Sequence, residues 1–215
     1  DLGRSLTEEQ AARTVPATPD WSVKDAYSHL AGAAADLLAG NLEGVTTDPW
    51  TEAQVAPRRD SDLAEVVDEM ESLGEAMDSL IASLGEDVDI RLLIDQWTHE
   101  QDIRGTVGIA GGVESPIVAK AAPGMATGWV RGVSRSGLPP LTVDLSGHQF
   151  AVDDDPAVAA VTLAVDAYEA MRIGRGRRSV KQLAGLPWAG TDDPSPYFEH
   201  LVYFAIADRD VTDAR

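Results

Sequence analysis

The sequence contains no cysteine among its 215 residues. This absence excludes disulfide bonds, cysteine-ligated zinc and a protein thiol acting as nucleophile. Any sulfur chemistry that this protein carries out must therefore use a thiol supplied by a small molecule.

Long apolar runs are also absent from the sequence. Every apolar stretch falls short of the ~20 residues that a membrane-spanning helix requires. We therefore expect no membrane partner, and the cytoplasm is the expected location.

Basic side chains are scarce, with 17 Lys and Arg against 36 Asp and Glu, which gives a formal net charge of −19. A surface with this charge repels the phosphate backbone of nucleic acids, so a nucleic-acid partner is not expected. The 44% share of hydrophobic residues is ordinary for a globular core, and the length suits one large domain or two small ones.

The stretch Asp87–Gly105 combines helical character with a possible metal-binding pair. It has no proline, and its only glycine is the last residue, where a helix stop is expected. Asp95, His99 and Asp102 are spaced i, i+4 and i+7, which places them within about 60° of one helix face. Side chains four apart lie about 5–6 Å from each other at Cβ, so Asp95 and His99 can share one metal ion. The alternative is a solvated acidic face with an incidental histidine.

Three other segments carry the apolar periodicity of helices. They are 22–40, 62–84 and, interrupted by Pro123, Gly124 and Gly128, 117–134. Residues 1–20 predict a short helix around Thr7–Arg13 followed by a loop, and 41–60 predict a connection. Four helices with such connections predict a bundle, and bundle cores commonly host metal sites built from facing helices.

The segment 22–40 carries the clearest helix boundaries and a central histidine. Ser22 followed by Asp25 has the spacing of a capping box, and Gly40 provides the expected stop. His29 is flanked by small residues, which leave room for a ligand or for a closely packed helix. The alternative for His29 is a packed or surface residue without a ligand.

From Ser136 onward the pattern changes to alternating strands separated by turns. The segments LTVDL, HQFAV and VAAVTLAV read as strands, and DDDP reads as a turn. Helices are predicted at about 166–173, 180–184 and 197–207. Helices followed by a sheet predict an α+β chain, which we divide into a helical domain at 1–137 and an α+β domain at 138–215.

Four arginines are concentrated in seven positions at the end of the helix predicted at 166–173 and just after it, at Arg172, Arg175, Arg177 and Arg178. A guanidinium is well suited to binding an anion or a carboxylate, which predicts a clamp for an acidic group. The alternative is a basic cluster that offsets local acids such as Asp166 and Glu169.

Two of these segments resemble the signature stretches of a known family. The two segments are WSVKDAYSHLAG, beginning at Trp21, and DQWTHEQDIRG, beginning at Asp95. They resemble the signature stretches of the DinB-like maleylpyruvate isomerase family of mycothiol-dependent metalloenzymes. AYEAMRIGRGRRSVKQLAGLPWAG is similar to the opening helices of the C-terminal domain that many members carry. The resemblance implies a DinB-like four-helix bundle followed by a small α/β, sterol-carrier-like domain.

The resemblance also implies a set of site residues. His29, Asp95 and His99 match the positions that hold one divalent metal, usually zinc, although some members have Glu where this chain has Asp95. Asp102 is then a substitute ligand or a partner that orients His99, and we assign it to the catalytic residues with Arg178. Arg104 and Arg175 are the residues expected to bind the thiol cosubstrate.

The activity implied by the resemblance depends on a low-molecular-weight thiol, mycothiol, held as thiolate at an open metal position. The thiolate attacks an electrophilic small molecule, either as an isomerase or as an S-transferase. A monomer or a homodimer is expected.

Two functions of other classes stay open. The bundle could bind a metal or small ligand without turnover, as a sensor or stress protein. It could also serve as a dimerisation module that uses the apolar helix face around Trp97.

Overall fold

The structure is a computed structural model that describes residues 2–85, 89–152 and 161–215. The chain is mixed α+β, as the sequence predicts, and divides into two units, Asp1–Ile109 and Ala110–Arg215. The predicted turn at 153–156, the first residues of the strand predicted at 158–165 and the predicted helix start at 87–88 lie outside the described residues.

The N-terminal unit consists of a small β-hairpin and several helices, which pack around the helix Val23–Ala39. Its elements are α1 (Glu8–Ala11), β1 (Thr14–Val15), β2 (Thr18–Ser22), α2 (Val23–Ala39), α3 (Asp48–Val55), α4 (Leu63–Leu84) and α5 (Ile90–Val107), with short 3₁₀ turns at Gly3–Ser5 and Ala56–Arg58. Strands β1 and β2 pair antiparallel where the sequence predicted a loop. Helix α2 packs against α3, α4 and α5.

The predicted boundaries of α2 are confirmed. The backbone N–H of Asp25 donates to Ser22 Oγ at 3.1 Å, and the N–H of Ser22 donates to Asp25 Oδ2 at 2.9 Å. This capping box satisfies backbone donors that a helix start otherwise leaves unpaired. Gly40 ends the helix with φ of 71°, a left-handed conformation that glycine adopts without strain.

The core of this unit forms where α2 meets α4 and α5. Its buried members are Val15, Val23, Ala26, Tyr27, Leu30, Ala31, Val66, Val67, Ile103 and Val107. Trp21, Met70 and other partly buried side chains pack against this cluster. Burial of these side chains fixes the rotation of α2 and α5, and so determines which of their residues face each other.

A close approach between α2 and α3 depends on Gly32. A Cβ at this position would lie 2.5 Å from Gln54 Cβ and 2.9 Å from Arg58 Nη1. Because glycine has no Cβ, Gln54 can pack directly against α2. The same contact brings the Gln54 side chain next to His29, three residues before Gly32.

The C-terminal unit packs helices on a four-stranded sheet. Its elements are α6 (Pro116–Ser134), β3 (Leu141–Leu145), β4 (His148–Phe150), β5 (Val161–Val165), α7 (Ala167–Gly174), α8 (Val180–Ala184), β6 (Trp188–Ala189) and α9 (Phe198–Leu201), with a 3₁₀ turn at Ser195–Tyr197. The strand order is β4-β3-β5-β6, with β3 and β5 parallel and the outer pairings antiparallel.

Helix α6 belongs to this unit, whereas the sequence analysis grouped it with the N-terminal helices. It packs against α7 and β3, and its Trp129 and Val133 side chains are fully buried. The division of the chain therefore falls after Ile109 rather than near residue 138. The apolar periodicity of α6 predicted a buried face but could not identify the partner of that face.

Of the last two predicted helices, one has the predicted bounds and the other is shorter than predicted. The short helix predicted at 180–184 is confirmed as α8, whereas the last helix extends only over Phe198–Leu201 instead of 197–207. Val202 adopts an extended conformation with ψ of 141°, which ends the helix there. None of the helices in the described part of the chain is long and apolar enough to cross a membrane.

Candidate metal centre

Three potential metal ligands from α2 and α5 meet inside the N-terminal unit. His29 comes from α2, and Asp95 and His99 come from successive turns of α5. One ligand atom from each residue lies within 4.8 Å of the other two. Both histidines are buried and Asp95 is half-buried, so the group is a convergent cluster and not a solvated stripe.

The distances within the cluster fit one small cation. His29 Nε2 lies 3.2 Å from Asp95 Oδ2, and His99 Nε2 lies 3.8 Å from Asp95 Oδ1. Ligand bonds of about 2.0–2.2 Å in a tetrahedral zinc site separate neighbouring donor atoms by about 3.3 Å. Asp95 thus faces both imidazoles with one oxygen each.

A hydrogen-bond chain determines which nitrogen of His29 faces the cluster. Gln54 Nε2 donates to Asp36 Oδ2 at 2.9 Å, and a carboxylate accepts this bond, so Gln54 Oε1 points towards His29. His29 Nδ1 lies 2.7 Å from that oxygen and must therefore carry the proton. The lone pair of a neutral His29 is then on Nε2, directed at Asp95, as metal binding requires.

Neither Gln54 nor Asp36 was recognised as a site residue from the sequence. Gln54 lies on α3, within the segment 41–60 that was interpreted as a connection. The sequence Thr47-Asp48-Pro49 carries a typical helix-start signal, with proline in the first turn, and could have revealed α3. The position of Gln54 against His29 depends on packing that no local pattern shows.

Replacing Gln54 with leucine is expected to weaken zinc binding by about 10- to 100-fold, the usual effect of losing a partner that orients a metal-binding histidine. Leucine fills a similar volume but cannot accept the His29 Nδ1 proton. The change is measured by competition for zinc against a chromophoric chelator. Gln96→Leu, an exposed position on α5, is the matched control and should leave the affinity unchanged.

Asp102 lies beside His99, and its predicted role as an orienting partner stays a prediction. Asp102 Oδ2 lies 3.6 Å from His99 Nδ1, the nitrogen that does not face Asp95, and Asp102 is 2% exposed. The carboxylate favours a proton on Nδ1 and so leaves Nε2 for a metal. The three-residue cluster is completed by Asp95 and not by Asp102.

Two tryptophans enclose the imidazoles. The centre of the Trp21 ring lies 5.2 Å from the centre of the His29 ring and 5.7 Å from that of His99. The Trp50 ring is oriented edge-on to His29, with 6.4 Å between the ring centres. Trp50 is held by a hydrogen bond from its Nε1 to the carbonyl oxygen of Asn41 at 3.3 Å. Both tryptophans are half-buried, so they restrict access of water to the cluster.

No family model, curated protein or solved structure matches this chain.

Arg104, predicted to bind the thiol cosubstrate, is not brought to the cluster. It lies nine residues after Asp95, about 180° around α5. Its Nε donates to Glu100 Oε1 at 2.8 Å, and its side chain lines a separate cavity between α2, α4 and α5.

The predicted catalytic Arg178 belongs to the C-terminal unit, where it is buried in an ion-pair network. Its Nη2 donates to Glu169 Oε2 at 2.8 Å and also to Asp213, and its Nη1 donates to the carbonyl oxygen of Arg177 at 2.6 Å. Burial alone opposes the charged form, but the contacts with Glu169 and Asp213 raise the pKa of Arg178. These contacts favour the alternative in which the basic cluster offsets local acids, because the guanidinium is already engaged by carboxylates.

Arg175 also belongs to the C-terminal unit. Its guanidinium carbon lies 4.4 Å from the centre of the Phe204 ring, a cation–π contact. Arg172 is fully buried, and its Nε donates to Asp213 Oδ1 at 2.9 Å. The predicted role of Arg175 in thiol binding stays a prediction.

Proposed function

We propose that this protein is a metalloenzyme in which His29, Asp95 and His99 hold one divalent metal, most suitably zinc, and a small-molecule thiol is the cosubstrate. The observation that carries the proposal is the convergence of these three side chains, with ligand atoms within 4.8 Å of one another. Two imidazoles and a carboxylate form a typical ligand set of a catalytic zinc site, which keeps a fourth position open.

The charge of the ligand set favours an anion at that fourth position. Two neutral imidazoles and one carboxylate leave a divalent cation with a net charge of +1 at the centre. When bound, such a metal lowers the pKa of a thiol and so supplies a thiolate at neutral pH. The absence of cysteine means that the protein offers no thiol of its own.

The surrounding residues hold the ligands in place and limit water. Gln54 keeps the proton of His29 on Nδ1, and the nearby charge of Asp102 favours the same tautomer of His99. Trp21 and Trp50 cover the imidazoles, which lowers the local polarity and strengthens the attraction between a cation and an anionic ligand.

The family resemblance completes the proposal. The two motifs that resemble the DinB-like maleylpyruvate isomerase family supply His29 and the Asp95/His99 pair, and the structure brings these residues together at one site. We therefore propose a DinB-like N-terminal bundle, a sterol-carrier-like C-terminal domain and mycothiol as the thiol. The thiolate adds to an electrophilic small molecule in the cytoplasm, as an isomerase or an S-transferase, in a monomer or homodimer.

Cobalt substitution tests this proposal directly. Addition of mycothiol to the cobalt-loaded protein is expected to produce a sulfur-to-cobalt charge-transfer absorption, because the thiolate binds at the open position. Mycothiol methylated on sulfur is the matched control and should give no such band. A cobalt-loaded protein that gives no band with mycothiol would favour the alternative of a metal-binding bundle without turnover.

A further inference from the structure

The cavity that Arg104 lines, between α2, α4 and α5 of the N-terminal unit, has a volume of about 340 Å³. Its apolar wall is formed by Leu30, Val67, Met70 and Ile103. A volume near 300 Å³ is at the lower end of the range for small-molecule sites, which are mostly apolar with a few polar groups. The cavity therefore has the size and the character of a ligand site.

Tyr27 supplies a polar group to this apolar cavity. The residue is 7% exposed and lines the cavity wall. No residue in the described part of the chain forms a hydrogen bond with its hydroxyl. Burial and the nearby charge of Glu100 raise the pKa of Tyr27 to about 12, so the hydroxyl is a neutral donor at physiological pH. The hydroxyl is left to water or to a ligand that enters the cavity, and a ligand with an acceptor would provide it with a hydrogen-bond partner.

The charged residues at the rim are paired, which indicates an uncharged ligand. Glu100 forms an ion pair with Arg104 at 2.7 Å, and Glu71 forms one with Arg4 at 2.7 Å. Each carboxylate is thus offset by a guanidinium, so neither sign of charge dominates. The net charge of −19 for the whole chain further disfavours an anion.

The cavity is distinct from the candidate metal centre. Tyr27 and His29 are two residues apart on α2 and therefore project about 160° from each other. On α5, the cavity residues Glu100 and Arg104 lie about 140° and 180° around the helix from Asp95, and about 100° and 140° from His99. The metal centre faces α3, through Gln54, whereas the cavity is bounded by α4.

We infer that this cavity binds a small, uncharged and mainly apolar molecule that carries one hydrogen-bond acceptor, such as a ketone, which accepts the hydroxyl proton of Tyr27. The apolar wall contributes affinity through burial, and the Tyr27 hydroxyl, a neutral donor beside that wall, selects for the carbonyl group. This inference is independent of the proposed metal chemistry, because none of the three ligands lines the cavity.

Two variants of the full chain separate the polar and the apolar parts of this site. Tyr27→Phe removes the donor and keeps the ring. Gly74→Leu fills the cavity from α4, since a Cβ at Gly74 has no atom within 4 Å and leucine is a better helix former than glycine. The probes are 2-tetralone and tetralin, which share the same shape and differ in one carbonyl group.

Binding of both probes is measured by titration with NMR detection of the protein amides. The wild type is expected to bind 2-tetralone about three- to tenfold more tightly than tetralin, the usual value of one neutral hydrogen bond. Tyr27→Phe should abolish this preference without changing the tetralin affinity, and Gly74→Leu should remove binding of both. Equal affinities in the wild type, an unchanged preference in Tyr27→Phe, or no binding of either probe would overturn the inference.

The zinc content of both variants distinguishes this site from the metal centre. It is expected to equal that of the wild type, since the cavity and the ligands occupy different faces of α2. Loss of zinc together with loss of probe binding would show that the two sites are one, and would overturn the claim of a separate site.

Discussion

Replacing His29 with alanine is expected to reduce bound zinc from about one ion per chain to nearly none. His29 is the only ligand that α2 contributes, and its loss leaves Asp95 and His99, two ligands on one helix. A catalytic zinc site needs three protein ligands, so the remaining pair should hold zinc only weakly. The effect should exceed the 10- to 100-fold loss expected for removal of a residue that merely orients a ligand.

The zinc content of His29→Ala is measured by plasma mass spectrometry on protein purified without chelator. His148→Ala provides the matched control, because His148 is exposed on β4 and should keep the wild-type content. Circular dichroism establishes whether α2 is still folded, which is expected because alanine favours a helix. Zinc retained by His29→Ala at the wild-type level would show that the metal is held elsewhere.

Replacing Arg178 with methionine is expected to destabilise the C-terminal unit by about 3–5 kcal/mol, the usual result of removing one partner from a buried ion pair. Arg178 is 5% exposed, and its loss leaves the carboxylates of Glu169 and Asp213 in a largely buried environment. Arg172 and Arg215 retain one contact each with these carboxylates and should limit the loss to that range.

Hydrogen–deuterium exchange of the α7 amides measures this change within the unit concerned. Lys181→Met is the matched control: Lys181 forms an ion pair with Asp210 at 2.6 Å, but its side chain is 84% exposed. Exposed ion pairs contribute little, so the control should exchange like the wild type. If Arg178→Met exchanged at the wild-type rate, the network would have no structural role, and an anion-binding role for Arg178 would gain weight.

The sequence predicted the helices that carry the three cluster residues, and the family resemblance proposed these residues together as metal ligands. The i, i+4 spacing alone places Asp95 and His99 on one face of α5, and the capping box at Ser22 fixes the start of the helix that carries His29. Local rules of this kind operate within one element and are visible in its sequence. The meeting of α2 and α5 was expected from a bundle and from the family resemblance.

The partners of these ligands could not be predicted, because they depend on contacts between distant elements. Gln54 reaches His29 across 25 positions of the sequence, through a close approach that Gly32 permits. The same limit applies to one of the two carboxylate partners of Arg178: Asp213 lies 35 positions away, whereas Glu169 was named from the sequence as a local acid. A cluster of arginines can clamp a ligand or pair with local acids, and only the fold distinguishes these outcomes.

X-ray absorption at the zinc edge tests the central claim most directly, because it identifies the ligands of the bound ion. The wild-type protein, loaded with one equivalent of zinc, is predicted to show two imidazole ligands with Zn–N distances of about 2.0–2.1 Å and at least one oxygen ligand. Scattering from the outer atoms of the imidazole rings distinguishes histidine from water or carboxylate. A shell of oxygen atoms alone, with no imidazole scattering, would contradict the assignment of His29, Asp95 and His99 as the metal centre.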